Sequence, residues 1–213
     1  MITIKRFCVN MLQENCYVVS DESLEAVIID CGAYFAEERE ALTSYISAGR
    51  LKPVRLLCTH GHFDHCFGND TIHQAYGIGP EVSARDEYLM DIRRQCREMM
   101  GTDYLSPVPP VSRFLKDYET VSFGSHRLEV LPTPGHTPGS VLFYCAEEAV
   151  VFTGDTLFCN SIGRTDFPGG SWESMHDSLT NVVAKLPGNT RVLSGHGPET
   201  TIANELASNP YLR

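Results

Sequence analysis

The sequence predicts an α/β fold, and three patterns support that prediction. Short runs rich in β-branched and aromatic residues recur along the 213 residues, and stretches with helical periodicity separate several of them. Polar residues beside glycine follow many of these runs, as expected where strands end in loops. Strands that alternate with helices are typical of α/β domains. The length and a hydrophobic content of 42% are sufficient for a substantial core, so we predict a single domain over residues 1–213.

The first half of the chain predicts strands and helices in turn. β-branched and aromatic residues between turn residues predict four strands, at Ile2–Val9, Asn15–Val19, Ala26–Asp30 and Val54–Cys58. Helical patterns predict three helices, at residues 36–48 with Gly49 as C-cap, at Asn69–Tyr76 and at residues 84–100. The last of these has the clearest apolar stripe, and prolines between Pro107 and Pro110 exclude a helix from the passage that follows.

The second half repeats the strand-rich pattern after a connector at Phe114–Ser122. Strands are expected at Arg127–Leu131, Ser140–Tyr144, Ala149–Phe152 and Arg191–Ser194. Helices are expected at Trp172–Lys185 and at Pro198–Ser208. Four apolar residues near the connector suit either a lid over a pocket or the core, and the core is the favoured interpretation: Met99, Met100, Tyr104 and Phe114.

A net charge of −10 argues against several classes of partner. No basic stripe is available to bind a nucleic-acid backbone, and an acidic surface is repelled by anionic membranes. Residues 1–20 contain no apolar core of a signal peptide, and no run approaches the ~18 apolar residues of a membrane span. We therefore expect a cytoplasmic protein.

The cysteines favour the same compartment. Eight cysteines are scattered along the chain without a C-x-x-C pair, which excludes the common zinc-ribbon arrangement. Reduced cysteines that pack as small hydrophobic side chains suit this spacing. For Cys66, next to the candidate ligand His65, a packing role is favoured over an effect on the site.

One short stretch carries most of the functional signal. His60, His62, Asp64 and His65 follow the predicted strand Val54–Cys58 directly, and imidazole and carboxylate groups are ligands for zinc and other first-row divalent metals. Because one residue separates His60 from His62, both rings point to the same side of an extended segment. Asp64 and His65 follow as the chain turns and can face a second point. A His-rich surface loop is the alternative interpretation.

Three further candidate ligands argue against that alternative. His136, Asp155 and His196 each lie beside glycine, next to a predicted strand, and strand ends on one edge of a sheet converge into sites. The resulting five histidines and two aspartates are too many for one ion, which needs about three protein ligands and a water. They suit two ions roughly 3.5–4 Å apart, bridged by a carboxylate for which Asp155 is the natural candidate.

Four other polar residues have to be compared with this set. His73, His126 and His176 lack a comparable strand-end setting and are left out of the predicted site. Asp30 ends a predicted strand before Gly32, where it is either a turn former or an acceptor that orients a metal-bound histidine.

The order and spacing of His60-x-His62-x-Asp64-His65, His136, Asp155 and His196 resemble the signature of the metallo-β-lactamase superfamily. The resemblance implies a four-layer αβ/βα sandwich and two divalent metal ions, with zinc expected first and iron or manganese as alternatives. It assigns His60, His62 and His136 to the first metal. It assigns Asp64, His65 and His196 to the second, with Asp155 bridging the two.

Shorter motifs are similar to the glyoxalase II-like branch and its short bacterial YcbL-type hydrolases. These motifs are Asn15-Cys16-Tyr17, Thr153–Phe158, Gly163–Phe167 and Gly195–Thr200. They imply hydrolysis of a small-molecule acyl thioester such as S-lactoylglutathione, in which a hydroxide between the metals attacks the carbonyl and a thiolate leaves. Asp64, which would orient that hydroxide, and Asp155 are the expected catalytic carboxylates.

The motifs define the thiol half of the expected thioester less well than the reaction. Arg164 and Asp166 fall near positions where full-length glyoxalase II carries a lysine and a tyrosine that contact glutathione. Arg164 keeps the positive charge and is therefore a candidate substrate-binding residue. Asp166 places an acid where the tyrosine would be, and an ion pair between Arg164 and Asp166 is the slightly favoured alternative.

Two other functions are compatible with the same residues. Persulfide dioxygenation at a single iron would use His60, His136 and Asp155, a two-His-one-carboxylate set that leaves positions open for oxygen. A non-catalytic module, in which the metals only stabilise the fold, is the third hypothesis. The presence of all seven candidate ligands argues against it.

Overall fold

Two six-stranded β-sheets form the frame of the protein, of which the computed structural model describes residues 1–212. The first sheet has its strands in chain order: β1 (Thr3–Val9), β2 (Glu14–Ser20), β3 (Glu25–Ile29), β4 (Lys52–Leu57), β5 (Pro80–Ser83) and β6 (Arg113–Leu115). The second sheet, also in chain order, contains β7 (Thr120–Phe123), β8 (His126–Pro132), β9 (Val141–Cys145), β10 (Val150–Gly154), β11 (Arg191–Ser194) and β12 (Thr200–Thr201).

The direction of the strands brings several of their ends to one edge. In the first sheet, β3 to β6 are parallel, so β3 and β4 end at the same edge. In the second sheet, β10 is parallel to β11 and antiparallel to β9, which is itself antiparallel to β8. β8, β10 and β11 therefore also end together.

Helices cover the outer faces of both sheets. The α-helices are α1 (Ala36–Ala48), α2 (Asn69–Tyr76), α3 (Ile92–Gln95), α4 (Trp172–Asn181) and α5 (Ile202–Ser208). Leu42 and Ile72 anchor α1 and α2 on the first sheet, and Met175 and Ile202 anchor α4 and α5 on the second. None of the helices within residues 1–212 is long and apolar enough to cross a membrane.

The inner faces of the two sheets share one core. The Tyr17 ring of β2 packs edge-on against the Phe152 ring of β10, with 5.3 Å between the ring centroids. Burial of each side chain of this size contributes about 1.5–3 kcal/mol. The order helix, sheet, sheet, helix confirms the predicted α/β fold and the four-layer αβ/βα sandwich. One domain over residues 1–213 stays a prediction.

The predicted single helix over residues 84–100 is wrong. A 3₁₀ helix spans Ala84–Met90, α3 follows, and a π-helical turn spans Cys96–Met100. The break lies at Asp91, whose backbone leaves the helical region and whose carboxylate accepts a hydrogen bond from the Arg94 amide. A short capping residue inside the apolar stripe therefore divides the stretch in two, and the π-helical turn continues directly from α3.

The connector predicted at Phe114–Ser122 overlaps two strands. Part of it belongs to β6, where Phe114 pairs with Val82 of β5, and part belongs to β7. The predicted helix at Trp172–Lys185 ends as an α-helix at Asn181, and a 3₁₀ turn covers Val183–Lys185. The last predicted helix begins at Ile202 rather than near Pro198, because β12 pairs with β11 before it.

The burial of several apolar residues also differs from expectation. Only Tyr104 of the four expected core residues is buried, whereas Met99, Met100 and Phe114 are 46%, 36% and 40% exposed. All eight cysteines are free, and six are buried. Cys8 is exposed and Cys159 is partly exposed, so the packing role predicted for all cysteines is wrong for these two. Cys66 packs with Phe63 and Phe67, as predicted.

Candidate metal centre

The ends of five strands place polar side chains at one edge of the sandwich. β3 ends before Asp30, β4 before His60, and β8, β10 and β11 before His136, Asp155 and His196. Backbone hydrogen bonds hold the two sheets together at this edge: the Val141 amide donates to the Thr59 carbonyl at 2.8 Å, and the Asn15 amide donates to the Gly195 carbonyl at 2.7 Å. The ligand loops are thus fixed relative to each other by the main chain.

The loop that carries His60 and His62 needs glycine between them. A Cβ at Gly61 would lie 2.7 Å from the Leu89 side chain and 3.0 Å from the Asp86 carbonyl oxygen. The alternation around this glycine directs both rings to one side, with their centroids 4.8 Å apart. The structure therefore shows the orientation that the spacing predicts.

His60, His62 and His136 form a first triad, whose nitrogens lie within 4.8 Å of one another. His62 Nδ1 is 2.9 Å from His136 Nε2. All three side chains are buried. The three residues predicted for the first metal are thus brought together.

Asp64, His65 and His196 form a second triad, also within 4.8 Å. The Oδ2 atom of Asp64 is 3.6 Å from His65 Nε2 and 3.3 Å from His196 Nε2. Asp64 and His65 are buried, whereas the His196 side chain is 25% exposed. The more open side of the centre therefore lies at His196.

Asp155 lies between the two triads. Its Oδ2 atom is 3.5 Å from His136 Nε2 in the first triad, and its Oδ1 atom is 3.3 Å from His65 Nε2 in the second. Oδ2 is also 3.7 Å from His196 Nε2. The carboxylate thus faces both groups, which is the position that a bridging ligand requires.

Hydrogen bonds on the far side of four imidazoles fix their orientation. His60, His65, His136 and His196 each use Nδ1 outward and present Nε2 to the centre; the partners are Thr59 Oγ1, Asp30 Oδ2, Arg164 O and Leu12 O, at 3.0, 3.1, 2.7 and 3.1 Å. Such contacts set the tautomer and the ring orientation of histidine ligands.

Asp30 acts on two of these histidines. Its Oδ1 atom accepts from the Thr59 amide at 2.7 Å, and its Oδ2 atom accepts from the Thr59 hydroxyl at 2.6 Å. Because that hydroxyl has only one proton, its contact with His60 Nδ1 requires the ring to donate. Asp30 thereby fixes His65 directly and His60 through Thr59, so the orienting role left open by the sequence is the one that the geometry supports.

Unpartnered buried atoms show that the centre fits divalent cations. His60 Nε2, His65 Nε2 and Asp155 Oδ1 are buried without a hydrogen-bond partner, although such groups are normally paired. All three face the centre of the cluster. Nitrogen and carboxylate donors that converge with free lone pairs are the donor set of zinc, iron or manganese.

The pKa shifts of His60, His62 and Asp155 have the direction that metal ligands need, whereas that of His65 is opposite. Burial lowers the pKa of His60 well below its ordinary value, and burial with the neighbouring His136 lowers the pKa of His62 to about 4. Burial would raise the pKa of Asp155, but the charge of His65 lowers it well below its ordinary value. Burial would lower the pKa of His65, but the charges of Asp155 and Asp64 raise it. A cation would replace the proton on His65.

The sequence analysis missed two residues that hold the ligand loops in place. The Asp86 carboxylate accepts hydrogen bonds from the Gly61 amide at 3.0 Å, the Thr137 hydroxyl at 2.7 Å and the Gly139 amide at 2.7 Å. The Gln95 amide donates to the Gly61 carbonyl at 2.8 Å. Both lie in the stretch predicted as one helix, and no local signal in that stretch marks them.

A cleft of about 400 Å³ opens beside the first triad. Residues 84–100 form one wall and the loop at residues 167–168 forms the other; the lining residues are His62, Tyr88, Leu89, Arg94, Gln95, Glu98, Met99, Phe167 and Pro168. Phe167 connects the cleft to the metal centre, because its ring centroid lies 5.7 Å from that of His62 and 6.2 Å from that of His136.

Arg164 is not among the residues that line the cleft. Its guanidinium forms a bidentate ion pair with Asp166 at 2.9 and 2.8 Å, and it lies over the Phe167 ring at 4.3 Å. The side chain is 64% exposed. The ion pair that the sequence analysis favoured is present, and substrate binding by Arg164 stays a prediction. Its carbonyl oxygen accepts from His136, a contact that residue type does not reveal.

The three excluded histidines lie outside the centre. His126 forms hydrogen bonds to Asp21 and Glu148, both at 3.0 Å, in a separate polar cluster. His73 is exposed, with Nδ1 near the Ile78 carbonyl, and His176 is exposed on α4. None of them belongs to a group with the seven candidate ligands among the described residues.

Known proteins share this architecture. The sequence pattern of the metallo-beta-lactamase superfamily matches residues 9–196. The hydroxyacylglutathione hydrolase GloC of Haemophilus influenzae is 34% identical over 207 residues, which are 96% of this chain and 95% of that protein. The crystal structure of BLEG-1 B3 metallo-beta-lactamase is similar with a TM-score of 0.91 and 34% identity over 99% of both chains. The crystal structure of TTHA1623 in a di-iron-bound form is similar with a TM-score of 0.86 and 35% identity, and the match covers 98% of this chain and 100% of that chain.

Proposed function

Since the chain belongs to the metallo-beta-lactamase superfamily of metal-dependent hydrolases, we propose that it hydrolyses acyl thioesters, as a hydroxyacylglutathione hydrolase does. The observation that carries the proposal is the position of Asp155 between two complete triads of metal ligands. The similarity to GloC, whose name states that reaction, supports the choice of substrate class.

The seven candidate ligands would bind two ions in two groups. His60, His62 and His136 would hold one, Asp64, His65 and His196 would hold the other, and Asp155 would bind both. Two divalent ions bound there would lower the pKa of a water between them and polarise the carbonyl of the substrate. Zinc is the expected metal, with iron or manganese as alternatives, and the di-iron form of TTHA1623 supports the presence of a pair.

The protein residues supply orientation and a proton acceptor. Burial would raise the pKa of Asp64, but the charge of His65 lowers it, so Asp64 is a carboxylate at neutral pH. Its Oδ2 atom faces His65 and His196, where it can accept a hydrogen bond from the attacking water. A thiolate is a good leaving group, so the reaction needs no strong acid beside the carbonyl. Phe167 and His62 border the cleft through which the substrate would reach the centre.

The second triad supports this proposal over persulfide dioxygenation. A single iron held by His60, His136 and Asp155 would leave the buried His65 Nε2 without a partner. A second ion gives that atom a partner and uses Asp64 and His196 as well. The same donor set argues against a module without catalysis, because a metal that only stabilised the fold would not need a second triad with a side chain open to solvent.

The experiment compares the wild-type protein with Asp155→Asn on S-lactoylglutathione, a neutral acyl thioester and a β-lactam. We expect the wild type to hydrolyse the thioesters, and we expect Asp155→Asn to lower kcat/KM by at least about 100-fold, since even residues that only support ligands cost 10–100-fold. Asp177→Asn, an exposed residue on α4, is the matched control and should behave as the wild type.

Three results would contradict the proposal. The first is full thioester hydrolysis by Asp155→Asn with two metals retained. The second is hydrolysis of the β-lactam without hydrolysis of either thioester, which would assign the activity stated by the name of BLEG-1. The third is oxygen uptake with glutathione persulfide at one iron per chain.

A further inference from the structure

The cleft beside the first triad contains a cation that lacks a charged partner. Arg94 lines the cleft together with Tyr88, Leu89 and Met99 on one wall and Phe167 on the other. Most of this lining is apolar or aromatic. The Arg94 guanidinium is therefore a single positive group in a cleft that begins at the metal centre.

The hydrogen bonds of Arg94 are incomplete. One Nη2 proton goes to the Tyr88 carbonyl oxygen, whereas the buried Nε atom has no partner. A guanidinium has five N–H donors in a fixed fork, and a buried donor without a partner is destabilising. The Nη1 donors and the second Nη2 proton, which have no acceptor among residues 1–212, favour an acceptor that approaches from the cleft.

Two nearby arginines, Arg85 and Arg97, differ in this respect. Arg85 forms a bidentate pair with Asp117, and Arg97 lies 3.8 Å from Asp103. No carboxylate within residues 1–212 lies within ion-pair distance of the Arg94 guanidinium, although Glu98 lines the same cleft one helical turn away. Ion pairs therefore account for Arg85 and Arg97. Arg94 has no counter-ion among the described residues, as is also true of Arg93, which donates to the Ser106 carbonyl, but of these four arginines only Arg94 lines the cleft.

The wall that carries Arg94 is held rigidly against the metal loops. Gln95, the next residue, donates to the carbonyl of Gly61 between His60 and His62. At the opposite wall, Gly169 lies so close to the Tyr88 hydroxyl that a Cβ would be 2.6 Å from it. The π-helical turn at Cys96–Met100, a form found frequently at functional sites, presents Glu98 and Met99 to the cleft.

We propose that Arg94 binds a carboxylate of the substrate, so that the preferred substrates are thioesters with a free carboxylate and an apolar spacer. The spacer would lie against Leu89, Met99 and Phe167, between Arg94 and the metal centre. This inference rests on the proposed thioester hydrolysis and specifies its substrate class. A guanidinium binds a carboxylate through two parallel hydrogen bonds, which suits the free donors.

The charge of the cleft favours a carboxylate over a phosphate group. One guanidinium opposed by Glu98 suits one negative charge. The polyphosphate of coenzyme A would bring several negative charges to a chain whose net charge is already −10. The carboxylate can belong to the thiol half or to the acyl half of the substrate, and the experiment distinguishes these two sources.

The experiment uses two pairs of synthetic thioesters with the metal-loaded protein. In the first pair, hexanoic acid is joined to 3-mercaptopropionate or to its methyl ester, which places the charge in the thiol half. In the second, adipic acid or its monomethyl ester is joined to ethanethiol, which places the charge in the acyl half. Hexanoyl-coenzyme A is the polyphosphate probe.

Arg94→Gln should act on charged substrates alone. We expect it to lower kcat/KM by about 10–100-fold for the carboxylate member of at least one pair, in line with the 1.5–3 kcal/mol of a hydrogen bond to a charged group. The methyl esters should change by less than about twofold, because an uncharged ester cannot form the bidentate, charge-assisted pair with the guanidinium. Glu98→Gln should raise kcat/KM for the same carboxylate. Arg97→Gln is the matched control and should change neither substrate.

A binding measurement separates this inference from the proposed function. The thioether S-hexyl-3-mercaptopropionate cannot be hydrolysed, and calorimetry gives its affinity and that of its methyl ester for wild type and Arg94→Gln. If no thioester is hydrolysed, the proposed function fails, and Arg94-dependent binding of the carboxylate thioether would still support the subsite. Circular dichroism of Arg94→Gln checks that the variant is folded.

Two results would overturn the inference about Arg94. One is equal loss of kcat/KM for the carboxylates and their methyl esters, or no loss for either, with thioester hydrolysis intact. The other is an Arg94-dependent preference for hexanoyl-coenzyme A over both carboxylates, which would assign the cleft to a phosphate group.

Discussion

Replacing Asp30 by asparagine should weaken both halves of the metal centre, although Asp30 belongs to neither triad. The Asp30 carboxylate accepts from the Thr59 amide through Oδ1, and from the Thr59 hydroxyl and His65 Nδ1 through Oδ2. In the variant, the amide oxygen must stay at the Oδ1 position, because a backbone N–H can only donate. The new NH₂ group therefore faces the Thr59 hydroxyl and His65.

That exchange reverses the hydrogen bonds on two histidines. His65 must accept at Nδ1, which places its proton on Nε2, the atom that faces Asp64 and Asp155. The Thr59 hydroxyl turns its proton toward His60 Nδ1 and has the same effect on His60 Nε2. Asparagine also suits the positive φ of 52° at this position, so the backbone needs no change.

The expected loss is about 10–100-fold in affinity at each of the two metal sites, the usual cost of removing a partner that orients a ligand. This corresponds to about 1.4–2.7 kcal/mol per site. Competition with a chromophoric chelator measures both steps of a zinc isotherm. Asp21→Asn, a buried carboxylate in the separate cluster around His126, is the matched control and should bind both ions normally. Two unchanged affinities for Asp30→Asn would refute the assignment of the tautomers.

Two further predictions concern stability. Asp86→Ala leaves the buried amides of Gly61 and Gly139 without acceptors. Each donor without a partner costs about 1–3 kcal/mol, so the free energy of unfolding, measured in urea, should fall by about 2–6 kcal/mol. A loss below about 1 kcal/mol would contradict the role of Asp86 in holding the ligand loops. Burial would lower the pKa of His126, but hydrogen bonds to Asp21 and Glu148 raise it. Protonated His126 therefore stabilises the folded state. This contribution to the free energy of unfolding is complete below the pKa of the unfolded state, about 6.5, and is lost as the pH rises through the pKa of the folded state. His126→Gln should flatten this part of the plot of unfolding free energy against pH. A parallel profile for wild type and variant would show that His126 is not doubly protonated in the fold.

The sequence was informative wherever strand and ligand are adjacent in the chain. The apolar run before Thr59 predicts a buried strand, and β4 ends at Leu57, directly before the ligand loop. His136, Asp155 and His196 were found because each follows a strand and lies beside glycine. Convergence of their strands at one edge is a general property of such sheets, so the position of the cluster followed from local patterns.

Contacts between distant parts of the chain explain most of the features that the sequence does not predict. Asp86 contacts Gly139, 53 residues away, and Gln95 contacts Gly61, 34 residues away, so nothing near either residue marks its role. The helix expected over residues 84–100 has the right periodicity, but Asp91 caps a new helix inside it. Phe114 was placed in the core by its hydrophobicity, whereas pairing with β5 leaves its side chain at an exposed edge strand.

The role of a backbone carbonyl or amide also cannot be predicted from the type of the residue that carries it. Arg164 was selected for its charge, and its side chain forms an ion pair with Asp166. Its carbonyl oxygen, which any residue would supply, accepts the hydrogen bond from His136. Arg94 was unremarkable in the sequence, because the absence of a counter-ion becomes visible only when the surrounding carboxylates have positions.

The proposed chemistry depends on seven ligands that hold two metal ions bridged by Asp155. Elemental analysis of the protein purified without added metal, alongside Asp155→Asn, tests it most directly. We expect two divalent ions per wild-type chain and fewer in the variant, because Asp155 contacts both triads. One ion per wild-type chain after saturation with zinc, iron or manganese, or two ions retained with equal affinity by Asp155→Asn, would contradict it.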